Sequence, residues 1–217
     1  YAEQNTDSYE RVFRRVREAY CGEGVSEWMI DKMIRTMMTS DPKMAALIKK
    51  EFTPEDYFFI KTRMIGTGAI GGKACGMLLA RKIIENCLPA GYAQMEPHDS
   101  FYIGTDVYYS YIVENKLWSL YMRQRKEENY FATGEELSEA LMKGRFPQTV
   151  RDQFRRMLEY FGQIPIIVRS SSLLEDSFGN AFAGKYESVY CPNGGSPEER
   201  LEAFEDAVRR VCASTMA

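Results

Sequence analysis

The chain has 217 residues, 45% of them hydrophobic and 27% charged, with a formal net charge of -3. That length fits one medium domain, or one domain with an appendage, and the apolar fraction suffices for a buried core. The near-neutral, unblocked charge argues against a nucleic-acid partner, and no apolar stretch approaches the roughly 20 residues that span a bilayer.

The polar start, residues 1–8, lacks a signal peptide's apolar run. The cysteines are Cys21, Cys75, Cys87, Cys191 and Cys212, scattered without a C-x-x-C pair, and His98 is the one histidine. Reduced thiols of a cytoplasmic protein account for this pattern better than a disulfide framework or a zinc cluster. The chain begins without Met and stops at Met216-Ala217, so it is expected to be a piece of a longer protein.

In chain order, residues 1–55 read as a helical N-terminal appendage. Val12, Phe13, Val16, Ala19 and Tyr20 recur at helical spacing between Asp7 or Ser8 as caps and Gly22 as a stop. Ser26-Glu27 opens a second helix with Met29, Ile30, Met33, Ile34 and Met37 as its stripe. Such methionines suit soft core filler, with a partner surface as the alternative. Asp41-Pro42 starts a third helix, since proline fits the first turn. Residues 57–65 are rich in β-formers and lead into a glycine cluster, residues 66–72.

Residues 73–87 then read as a helix that ends near Pro89-Ala90-Gly91, and residues 101–105 as a short strand. An aromatic helix follows through about Trp118 and onwards, then helices over 134–142 and 147–160. Residues 165–169 form an apolar strand, 186–190 alternate like another, and 197–212 are a closing amphipathic helix. Helices and strands mix without a βαβ rhythm, which predicts an α+β class.

The run Gly66-Thr67-Gly68-Ala69-Ile70-Gly71-Gly72-Lys73 before a helix suits phosphate chemistry. Backbone N–H groups and the helix dipole favour an anion there, and Lys73 adds a mobile charge. A flexible turn with a solvated lysine fits the same residues. A Walker A loop fails, because Thr67 stands for its first glycine and Ala74 for its Ser/Thr. Gly66, Gly68 and Gly71 spell the dinucleotide fingerprint, but Glu85 sits on the helix rather than at a strand end.

The second signal is Arg169-Ser170-Ser171 at a strand end, followed by Glu175-Asp176 and by Phe182 between Gly179 and Gly184. A guanidinium fork there can grip phosphate oxygens, with two hydroxyls beside it and a glycine loop to close over the ligand. An ion-paired arginine at a polar strand end is the plainer alternative.

In this order the motifs resemble the phosphoenolpyruvate synthase and pyruvate phosphate dikinase family. Gly71-Gly72-Lys73 matches its Gly-Gly-Lys, Val168-Arg169-Ser170-Ser171 its strand end, and Glu175-Asp176 its acidic pair. Ala181-Phe182-Ala183-Gly184 matches its loop, with Ala181 where serine is usual; the likeness covers roughly residues 65–217. Ala74-Cys75-Gly76 also departs from the commonest continuation.

The resemblance implies the first lobe of an ATP-grasp-like domain over residues 56–217. Gly71, Gly72, Lys73, Arg169, Ser170, Ser171, Glu175, Asp176, Phe182, Ala183 and Gly184 would contact ATP. It implies a cytoplasmic phosphotransferase that passes phosphoryl from ATP, through a carrier histidine on a downstream domain, to pyruvate or a related acceptor. Magnesium is expected with the full-length protein, and no catalytic or metal-binding residue in this stretch. His98 lacks the carrier's surroundings and reads as a loop residue. A non-catalytic nucleotide-binding or partner-interaction module is the alternative, and a dinucleotide oxidoreductase the weaker third.

Overall fold

The structure, a computed structural model, describes residues 8–22, 24–126, 130–172, 176–177, 180–181 and 186–216. The chain opens with α1 (Ser8–Cys21), α2 (Glu27–Met33) continuing into a π-helical turn (Ile34–Met38), α3 (Pro42–Glu51) and α4 (Pro54–Thr62). Next come β1 (Met64–Ile65), α5 (Gly72–Cys87), α6 (Pro89–Tyr92), β2 (Tyr102–Ile103), α7 (Thr105–Glu114) and α8 (Trp118–Gln124). Then follow α9 (Tyr130–Lys143), α10 (Gln148–Phe161), β3 (Ile166–Arg169), β4 (Asp176–Ser177), β5 (Asn180–Ala181), β6 (Ser188–Cys191) and α11 (Pro197–Ser214).

Among the described residues helices dominate, and the strands pair into three small sheets: β1 with β2 parallel, β3 with β6 and β4 with β5 antiparallel. This agrees with the α+β class. The chain divides into two compact units, one of residues 1–105 and 171–181, the other of 106–170 and 182–217.

In the first unit, local signals start the helices. Asp41 accepts the Met44 N–H at 2.8 Å, with Pro42 beginning α3. Residues 57–65, read from composition as β-forming, are instead mostly α4. Pro54 opens that helix and Asp56 accepts the Thr53 N–H at 2.7 Å, a local cap that a β-leaning composition does not outweigh. Tyr57 and Ile60, one turn apart, are then buried together.

The methionine stripe is core: Met33, Met37 and Met38 are each at most 5% exposed. They pack in one apolar cluster with Val16, Ile48, Tyr57, Ile70, Cys75 and Leu79. Helices that precede residue 55 therefore share a core with the glycine loop and α5.

In the second unit, the expected aromatic helix is interrupted. Lys116 adopts φ 61°, which ends α7 and lets α8 restart at Trp118. Phe146 stacks on Tyr111 at 4.4 Å between centroids and meets Phe154 at 5.2 Å, which meets Phe204 at 5.0 Å.

A buried polar bracket joins the ends of α10, β3, β6 and α11. Asn193 donates to the carbonyls of Gly162 and Ile164, each at 2.9 Å, and accepts from Arg200 Nε at 3.0 Å. Arg200 also donates to the Leu158 carbonyl. Asn193 itself holds φ 57°, a left-handed conformation that asparagine tolerates and alanine resists. Asn193→Ala should therefore lower unfolding free energy by about 2–3 kcal/mol, and Asn193→Gly by about 1 kcal/mol less. Urea denaturation of the three chains checks the order; equal stability of alanine and native chains would refute a stabilising role for the bracket.

Candidate functional site

The glycine loop leaves β1 at Ile65 and enters α5 at Gly72, and neighbouring segments of the chain hold it in place. The Gly104 N–H donates to the Ile65 carbonyl at 2.9 Å, and the Ala69 N–H to Thr105 Oγ1 at 3.2 Å. The Ile70 N–H donates to the Met37 carbonyl at 3.0 Å. That carbonyl lies at the end of the π-helical turn, where helical acceptors lack partners within the helix. The N-terminal helices thus supply one of the loop's tethers as well as its core.

Gly71, the residue before α5, has no side chain to cap the helix. Ser171 does it from a hundred residues later. Its carbonyl accepts the Gly72 N–H at 2.9 Å and its hydroxyl oxygen accepts the Ala74 N–H at 3.0 Å. This approach needs glycine at 71, where φ is 87° and a Cβ would come within 1.9 Å of the Ser171 carbonyl oxygen. Lys73, half-buried, lies between these two donors in the first turn of α5. Ser171 was expected to donate a hydroxyl hydrogen bond to a ligand. Its oxygen is already an acceptor here, and its proton is the part a ligand would use.

Gly71→Ala should lower unfolding free energy by at least about 2 kcal/mol, through strained backbone and overpacking. Ser171→Ala keeps the carbonyl and loses one cap bond, so about 1 kcal/mol is expected. Amide exchange at Gly72 and Ala74, measured alongside denaturation, should quicken in both variants. A Gly71→Ala chain as stable as the parent would refute the close approach.

Cys75 follows directly in α5 and is 1% exposed, with burial pushing its thiol up to about 12. It is no nucleophile at neutral pH. Iodoacetamide at pH 8 should modify the exposed Cys21 and Cys87 in the folded chain and spare Cys75, as read by peptide mass spectrometry.

Arg169 and Ser170 belong to the second unit. Along β3, Val168 is buried while Ile167 and Arg169 are exposed, so strand alternation turns the guanidinium outward. Arg169 pairs in register with Ser188 of β6, and Ser170 just beyond is 8% exposed. Asn193 and Arg200, which hold the entry to β3 and the exit of β6, carry no local motif and escaped sequence reasoning.

Of the expected site residues, Gly71, Gly72, Lys73 and Ser171 come together in the first unit. Asp176 lies in β4, which packs beside α5 in that unit. Glu175, Phe182, Ala183 and Gly184 lie outside the described residues. Among the described residues no group of three His, Cys, Asp or Glu side chains is placed to hold a metal ion, and no helix is long and apolar enough to cross a membrane.

Residues 67–217 match the family described as pyruvate phosphate dikinase, AMP/ATP-binding domain. The chain belongs to that family. The match begins inside the glycine loop and includes every expected site residue. Comparison with curated proteins and with solved structures gives no match. Membership of this pyruvate phosphate dikinase domain family fits the resemblance carried by the two motifs and makes an adenine nucleotide the ligand class to test.

Proposed function

We propose that this chain grips ATP as the first, ATP-grasp-like lobe of a dikinase-type phosphotransferase. The observation that carries the reading is the seat of Ser171 on the first turn of α5. It fastens the residue two beyond Arg169 to the backbone that presents Lys73. In this reading Lys73 supplies a point charge for phosphate oxygens and Arg169 a bidentate fork. Ser170, Ser171, Glu175 and Asp176 complete the contacts, and the Phe182, Ala183 and Gly184 loop lies over the nucleotide.

Phosphoryl transfer asks a protein mainly for charge neutralisation and in-line positioning. Lys73 and Arg169 meet the first need. Magnesium, which would screen the phosphates when bound, is assigned to no residue of this chain. The transfer through a carrier histidine to pyruvate or a related acceptor belongs to the full-length cytoplasmic protein, with that histidine on a downstream domain. Residues 56–217 form the nucleotide-binding portion, and the helices of residues 1–55 buttress it.

Calorimetric titration tests the reading. ATP should bind the chain, and Lys73→Ala or Arg169→Ala should each weaken it by about 10- to 100-fold, the cost of one charge-assisted contact. NAD should not bind. Binding of NAD without ATP, or ATP affinity unmoved by both substitutions, would sink the assignment.

A further inference from the structure

From Leu78 to Glu85, α5 faces a cleft of about 430 Å³ within the first unit, also lined by Phe52, α4, α6 and by Met95, Pro97 and His98. The size suits a small molecule. Phe52, Phe59, Ile60, Leu78, Tyr92 and Met95 give it an apolar lining, and Phe59 stays 57% exposed there.

The charges around it are unequally matched. Lys82 Nζ lies 2.9 Å from Asp56 and 3.1 Å from Glu85, so one ammonium answers two carboxylates. Arg81 has no carboxylate partner among the described residues, Asp99 being paired with Arg63 at 3.2 Å. Its Nη2 donates to the Glu96 carbonyl at 3.2 Å, and its guanidinium lies 5.4 Å from the Tyr92 ring centroid. These contacts hold the fork while its other donors remain for an anion, so little side-chain freedom is lost on binding. His98, 3.4 Å from the Tyr102 hydroxyl, adds no charge: burial and then Arg81 lower its pKa against the opposing pull of Asp99.

We propose that this cleft binds a small aromatic carboxylate, with its ring on the apolar lining and its carboxylate on Arg81. One negative charge satisfies the arginine. A phosphate dianion would bring a second charge toward Asp56 and Glu85, and a neutral ring would leave the fork unused. Arg81 follows Lys73 by eight residues, about 12 Å along the helix. The cleft is therefore separate from the glycine loop, and its occupancy does not depend on the nucleotide reading.

Titration of 2-naphthoate into the whole chain, followed by saturation-transfer NMR, tests this. Saturable binding with Kd on the order of 1 mM or tighter is expected. Arg81→Gln should weaken it about tenfold, and Leu78→Trp, which fills the cleft, should abolish it. Lys73→Ala should bind like the unaltered chain, while 2-naphthyl phosphate and 2-naphthylmethanol bind less well. Absence of saturable binding, binding unchanged in Arg81→Gln, or loss of binding in Lys73→Ala overturns the proposal. Tighter binding of the phosphate or the alcohol overturns the carboxylate as its ligand. Circular dichroism reports whether Leu78→Trp folds; if it does not, Arg81→Gln decides alone.

Discussion

A helix that begins with two glycines has no side chain of its own to satisfy its first N–H groups, and α5 meets that need with a residue far along the chain. The Ser171 carbonyl and hydroxyl take the Gly72 and Ala74 donors, and Gly71 is bare so that they can come close. Much follows from this one seat. It fixes where α5 starts, hence where Lys73 emerges, and it pins the stretch that leaves β3. An ordinary Ser, Thr or Asp cap at position 71 would have satisfied one donor of the first turn locally. It would not have drawn Ser171 to the start of α5.

The N-terminal helices enter the same arrangement from the other side. The π-helical turn ends with the Met37 carbonyl turned to the Ile70 N–H, while Met33, Met37 and Met38 fill the space beneath the loop. A glycine-rich segment is costly to order, because its unfolded chain has so many conformations to lose. Here the ordering is offset by tethers at Ile65, Ala69 and Ile70 and by the packing of Ile70 itself. The family likeness starts at residue 67, so helices outside the likeness help hold the loop inside it.

What could be read from the sequence was local. Asp41-Pro42, the helix after Lys73 and the strand ending at Arg169 all announce themselves within a few residues, through caps and periodicity. The failure at α4 was also local: Thr53-Pro54-Glu55-Asp56 is a helix start, overlooked because Tyr57, Phe58, Phe59 and Ile60 favour strands by type. Other features lay beyond reach. The break at Lys116 rests on a left-handed residue that is not glycine. The bracket of Asn193 with Arg200 and the role of Ser171 are contacts between distant positions, and no spacing rule encodes them. At the glycine loop the start of α5 was therefore legible, while the hydrogen-bond partners that seat it were not.

The distance in sequence between the two halves of the α5 cap also has a bearing on the order of events during synthesis. Chains grow at about 5–20 residues per second, so roughly 5–20 s separate the emergence of Gly72 from that of Ser171. Through that interval the first turn of α5 has only water for its donors, and closing so long a loop carries an entropic toll that short-range contacts avoid. The first turn of α5 is thus completed late, once the segment after β3 has been made.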